Sequence, residues 1–291
     1  MRASTTALLA AVALLPSSVY GWGSLGHQTI AYIAQDFVSS STASWAQTTL
    51  GISNSSYLAS VATWADDYRY TTAGKFSAPF HYIDALDSPP SSCGVSYDRD
   101  CGSGGCVVSA ITNYTNRVGD NRFSSTNRKQ ALEFLVHFLG DITQPLHDES
   151  HETGGNGIAV TFDGKKTNLH HIWDTEIPEK YVGGYALADA RRFATELTTA
   201  IKSGAYSSQR QDWLQGMDTS DAQSSSMIWA QDANAYVCSN CLKGGDSAVE
   251  GTDLGSTYYN DNIPVVKLQI AKAGYRLAAW LNLINDGTTG L

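Results

Sequence analysis

Two His-x-x-x-Asp pairs, His137–Asp141 and His170–Asp174, constrain this chain more than any other feature of it. Four residues make about one helical turn, so each pair stacks an imidazole and a carboxylate on one helix face. The first pair lies in segment 128–141, where Ala131, Leu132, Leu135, Val136, Phe138 and Leu139 recur at helical spacing and Pro145 follows as a stop. The second pair follows Asn168, a residue type suited to capping a helix N-terminus. Taken alone, either pair reads as an exposed ion pair on a helix surface; two of them in one short region are harder to dismiss.

Apolar residues three or four apart also mark 57–70, 186–201, 220–236 and 264–284, and the run Gly26, Ile30, Ile33, Ala34, Phe37. One segment alternates instead, from Ile158 to Phe162, and ends in Asp163-Gly164, a hairpin-turn pair. The expected fold is therefore all-α with a small β-hairpin insertion. No linker, charge block or repeat divides it, so residues 22–291 are expected to form a single domain. Residues 1–21 read as an export signal: Arg2, an apolar run over 7–15, then Val19 and Gly21 at positions −3 and −1 before Trp22. That run is too short to span a membrane, so a secreted protein without a membrane anchor is expected.

Export permits disulfides among Cys93, Cys101, Cys106, Cys238 and Cys241, and an odd number leaves one thiol over. The Pro/Gly/Ser-rich loop 87–105 needs such a tether to stay ordered. Sequons at Asn54 and Asn113 suit a secreted glycoprotein. The net charge of −9 excludes broad phosphate tracking by Lys and Arg, so a polyanionic substrate would need a local source of positive charge.

Five of the seven histidines (His137, His147, His151, His170 and His171) fall within one short stretch. Upstream, Asp66 shares the apolar face of 57–70 and needs a cation, which Arg69 or a metal could supply. His27 faces Ile30, Ala31 and Ala34, and His81 lies in an apolar-polar alternation. Singly, each reads as a satisfied core residue or an exposed pair. Together they exceed what a core needs, and imidazole with carboxylate in the absence of thiolate suits zinc, in more than one ion.

The motifs Trp22-Gly23-x-x-Gly26-His27, Trp64-Ala65-Asp66, His81-Tyr82-Ile83-Asp84, the run His137 to Asp148, and Asn168-Leu169-His170-x-x-Trp173-Asp174 resemble the fungal single-strand-specific zinc nucleases of the S-one/P-one type. The resemblance implies a helical fold shared with zinc phospholipases C and three zinc ions. It implies one site of Asp66, His81, His137 and Asp141, and a second of His147, His170 and Asp174. The third would take the α-amino nitrogen and carbonyl oxygen of Trp22 with His27, while Asp141 bridges. It further implies disulfides Cys93–Cys238 and Cys101–Cys106, with Cys241 as a departure from the pattern. Tyr82 would stack a base that Asp84 hydrogen-bonds, beside Gly155 and Asn156, with Asp66 and Arg69 as catalytic residues. The implied activity is a monomeric endonuclease acting on single-stranded DNA and RNA, leaving 5′-phosphates, and also on 3′-nucleotides. A zinc-dependent phospholipase C is the alternative, and a non-catalytic zinc-storage protein a further one.

Overall fold

The computed structural model describes residues 21–291; the export-signal reading of the preceding segment lies outside them. Among the described residues eleven α-helices are present: α1 (Ser24–Gln35), α2 (Ser40–Leu50), α3 (Trp64–Tyr68), α4 (Tyr97–Asp100), α5 (Val107–Val118), α6 (Ser125–Asp141), α7 (Leu169–His171), α8 (Ile177–Val182), α9 (Leu187–Lys202), α10 (Ala222–Tyr236) and α11 (Thr257–Asp286). Strands β1 (Ala159–Phe162) and β2 (Lys165–Asn168) form an antiparallel hairpin, with Phe162 opposite Lys165 across the Asp163-Gly164 turn. The fold is all-α with a small β-hairpin insertion.

Two helices carry the core. Every residue of α6 from Ala131 to Asp141 is buried, as is every residue of α11 from Gln269 to Asn282. A helix buried all round must be enclosed by neighbours. Helices α1, α2 and α5 pack against this pair, and α1 crosses α11 closely at Gly274, where a Cβ would lie 2.5 Å from that of Ile33. Local chemistry starts α2 and α6: Ser39 accepts from the Thr42 amide and Ser124 from the Asn127 amide, each an N-cap. Among the described residues no helix is long and apolar enough to cross a membrane.

The structure corrects several expectations. Segment 57–70 is not one helix: a 3-10 turn (Ala59–Val61) precedes the separate α3. The apolar spacing there defines a buried face without a continuous helix. Segment 264–284 is part of a longer helix that starts at Thr257 and contains Pro264. Helices α2 and α5 carry many Ser, Thr and Val residues, which have modest helix propensity, and both escaped the periodicity reading.

Disulfides Cys93–Cys238 and Cys101–Cys106 are formed, and Cys241 is a buried free thiol. The first ties the 87–105 loop to the turn after α10. Asn54 is exposed ahead of a short turn, whereas Asn113 is half-buried on α5.

Candidate metal centre and adjoining cavity

Helix α6 delivers His137 and Asp141 on one face, their Nε2 and Oδ2 atoms 3.1 Å apart. Asp141 is shared between two neighbourhoods. Its Oδ2 also lies 2.9 Å from His81 Nδ1, and its Oδ1 lies 3.1 Å from His27 Nε2. Asp66 Oδ1, from α3, completes the first group at 3.7 Å from His81 Nδ1 and 3.6 Å from His137 Nε2. The second pair forms across a change in helix type. Asn168 caps α7 by accepting from the His171 amide, and a π-helical turn (Ile172–Glu176) follows. Such turns are rare and concentrate at functional sites. Here His170 Nε2 and Asp174 Oδ2 stand 3.1 Å apart, and His147 Nε2 lies 3.2 Å from His170 Nε2.

Backbone carbonyls orient three of the rings. His137 Nδ1 donates to Ala62 O, His147 Nδ1 to His81 O and His170 Nδ1 to Gly154 O, each at 2.7 Å. A proton fixed on Nδ1 leaves the Nε2 lone pair facing inward, as a metal ligand requires. The third carbonyl is placed by four successive left-handed residues, Glu152, Thr153, Gly154 and Gly155. Two of these are not glycine, a conformation of modest cost that persists where the surroundings enforce it. His27 stacks on His137 with ring centroids 3.9 Å apart, and only a glycine at 140 leaves room, since a Cβ there would lie 2.7 Å from His27 Nδ1.

The donor atoms fit metal ions. Both ring nitrogens of His27, His81 Nε2, Asp66 Oδ1 and Asp141 Oδ1 are buried without a hydrogen-bond partner. Inward nitrogens face one another at 3.1 Å (His137 to His81) and 3.2 Å (His147 to His170). Ring nitrogens this close need a proton or a metal ion between them, and a tetrahedral ion with bonds of about 2.0–2.1 Å sets ligands about 3.3 Å apart. Burial holds His27 and His147 down at about 4 and His81 at about 3, so these imidazoles stay neutral and keep their lone pairs. Burial also acts to lower His137, but the Asp141 and Asp66 charges outweigh it and push the ring up to about 9. One cation thus stands amid the carboxylates, in a place an ion could take.

The backbone ahead of Trp22 enters the same cup. A Cβ on Gly21 would collide with Asp141 Oδ1 and lie 2.9 Å from His27 Nε2. Trp22 is fully buried and anchored, its indole donating to Thr143 Oγ1 at 3.1 Å, and the Gly23 amide donates to Asp174 O at 2.7 Å.

A cavity of about 220 Å³ opens from His147 and His170 and is lined by Arg69, Tyr82, Asp84, Glu149 and Asn156 among others. Arg69 Nη2 sits 3.5 Å from Asp66 Oδ1 and links the cavity to the ligand cluster. Tyr82 is half-buried there. Gly155 stands behind the lining, its carbonyl accepting from the His170 amide at 3.4 Å, and Gly154 forms the wall itself. Leu146, Glu149 and Thr153 also line it and are not singled out by the sequence; a Gly-Gly pair such as Gly154-Gly155 is the one local mark of a tight turn there. His151 and His171 stay outside, paired with Asp246 and Glu176.

The S1/P1 nuclease family model matches residues 22–286. Nuclease S1 of Aspergillus oryzae is 58% identical over 275 residues, covering 94% of this chain and 96% of that protein. Nuclease P1 of Penicillium citrinum is 55% identical, covering 91% and 98%. Endonuclease 2 of Arabidopsis thaliana is 33% identical, covering 92% and 91%.

Proposed function

The chain belongs to the S1/P1 nuclease family, and from that premise we propose that it is a secreted, trinuclear zinc endonuclease of single-stranded DNA and RNA. The observation that carries this reading is the convergence of buried, unpartnered imidazole and carboxylate atoms around Asp141, opening onto a cavity walled by an aromatic ring. Asp66, His81, His137 and Asp141 would hold one ion, His147, His170 and Asp174 a second. Trp22, through its freed amine and carbonyl, and His27 would hold the third, with Asp141 shared. The mature protein would then be a single domain starting at Trp22, monomeric, with glycans on Asn54 and Asn113.

The ions would supply Lewis acidity, polarising water and phosphoryl oxygens alike, and a local positive charge in an acidic protein. The remaining roles fall to the chain. Asp66 orients the attacking water as a hydrogen-bond acceptor. Arg69, held beside Asp66, meets the charge that builds on the equatorial phosphoryl oxygens. Tyr82 offers a π-face to one base, while Asp84 and Asn156 hydrogen-bond its edge. Stacking accepts any base, so sequence preference is weak. A duplex must first unstack, at a few kcal/mol, which favours single strands. Cleavage leaves 5′-phosphate and 3′-hydroxyl ends, and 3′-nucleotides are substrates by the same chemistry.

The phospholipase alternative differs at the cavity, where Tyr82 and Asp84 suit a planar base better than an acyl chain. Turnover of single-stranded DNA and RNA, measured beside a phosphatidylcholine emulsion, tests this. Rapid nucleic-acid hydrolysis with no lipid turnover is expected; lipid turnover alone would overturn the proposal.

A further inference from the structure

The turn that walls the cavity is strained, and a pair of side chains outside the cavity holds it. Glu152 and Thr153, at φ 47° and 59°, precede the two left-handed glycines. Two adjacent non-glycine residues in this region, one of them β-branched, are uncommon and persist only where the surroundings impose them. The turn's own bonds close it on itself. Gly155 N donates to His151 O at 2.9 Å, Gly157 N to Glu152 O at 2.8 Å and Asn156 Nδ2 to Thr153 O at 2.8 Å. These bonds set its shape but not its place.

Among the described residues, two hydrogen bonds reach from 151–154 to distant elements. On the inner side Gly154 O accepts from His170 Nδ1. On the outer side His151 Nε2 donates to the Asp246 carboxylate, 2.9 Å from each oxygen and across 95 residues of sequence. Asp246 is itself anchored. It opens a 3-10 turn (Asp246–Ala248), and its carbonyl accepts from the Val249 and Glu250 amides at 3.0 and 2.8 Å. The chain beyond is bonded to β1, with Gly251 N donating to Ala159 O at 2.8 Å and Thr161 N to Thr252 O at 2.9 Å. Thr153 and Asn156 line the cavity from this turn, so the place of the turn decides how a base fits.

We propose that His151 and Asp246 are positioning residues for the base cavity: their contact latches the 151–156 turn so that Thr153 and Asn156 meet the edge of the base stacked on Tyr82. This rests on the reading of that cavity as the base pocket. The two side chains are 33% and 41% exposed, so the latch adjusts substrate fit and adds little to the stability of the fold.

The test compares the zinc-loaded wild type with His151→Ala and His151→Gln on single-stranded DNA and on a strand of equal length whose nucleotides lack bases. His151→Ala should raise KM for the DNA about two- to fivefold, the span expected of an exposed charged pair. Its kcat should hold, as when ground-state and transition-state binding fall together, and its kinetics on the base-free strand should match wild type. His151→Gln puts an amide donor near the place of Nε2 and should recover most of the loss. Adding Asp246→Ala to His151→Ala should cost nothing further, because both remove one contact. An unchanged KM in His151→Ala, an equal change on both strands, or a loss of zinc that lowers kcat would each overturn the latch. Amide exchange checks it without turnover: exchange over 151–156 should quicken in His151→Ala and return toward wild type in His151→Gln. Unchanged exchange would overturn it equally. A wild-type protein that handles both strands alike would instead refute the pocket reading, while the exchange result still decides the latch.

Discussion

Asp66 concentrates the chemistry at the residue scale. It is 1% exposed, one of its oxygens lacks a hydrogen-bond partner, and burial raises its pKa from the usual carboxylate range, an arrangement stable only with a cation beside it. Arg69 at 3.5 Å meets part of that need, and the inward edges of His81 and His137 frame the rest. Replacing Asp66 by Asn keeps the shape and removes the charge. Turnover should fall by about 10²–10⁴-fold, the usual range for a positioned acid-base group, with the circular-dichroism spectrum unchanged. Near-normal turnover would show that another group positions the water. The candidate ligands stand out in the sequence because each carries chemistry that a core seldom wants, at spacings that fix a common face: His137 with Asp141, His170 with Asp174. The cavity lining was less legible. Leu146 and Thr153 are ordinary residue types: Leu146 arrives beside His147 on a 3-10 turn (Pro145–Asp148), and Thr153 lies in the left-handed turn at 152–155 whose Gly154 carbonyl accepts from His170.

Among the elements, α6, α9, α10, β1 and most of α11 follow from apolar period, since each buries one persistent face or is buried outright, whereas β2 buries no residue and is signalled only by the Asp163-Gly164 turn. Segment 57–70 shows the limit of that signal. Leu58, Val61, Ala62 and Ala65 are buried at helical spacing, yet the backbone breaks between the 3-10 turn and α3. Periodicity reports which side chains are covered and says less about whether one helix covers them. The 87–105 loop has little regular structure and depends on Cys93–Cys238, a link spanning 145 residues of sequence. Closing so long a loop restricts the unfolded chain strongly, and losing a native disulfide typically costs about 2–5 kcal/mol. A Cys93→Ser/Cys238→Ser double variant should unfold at lower temperature by calorimetry. Removing Cys101–Cys106, which closes a loop of only 5 residues, should cost less. Equal losses would contradict the entropic account.

For the whole molecule, the candidate metal centre would act as a tie between distant parts of the sequence. Its residues come from α1, α3, the 3-10 turn ending at His81, α6, the turn after it, and the α7–π segment, so ions bound there link most of the layers around α6. Ligands that bind only the folded state stabilise it by mass action, and removal of zinc by a chelator should lower the melting temperature and abolish hydrolysis together. An unchanged melting temperature would mean the ions do not bridge these elements. The central claim is that three zinc ions occupy this cup and that the chain's own first residue, Trp22, completes it. Anomalous scattering at the zinc edge, from crystals of the chain beginning at Trp22, tests it most directly. Three peaks are predicted: one among Asp66, His81, His137 and Asp141, one among His147, His170 and Asp174, and one against the Trp22 amine with His27 and Asp141. A cup without zinc, or one whose ions leave the Trp22 amine uncoordinated, would contradict the account.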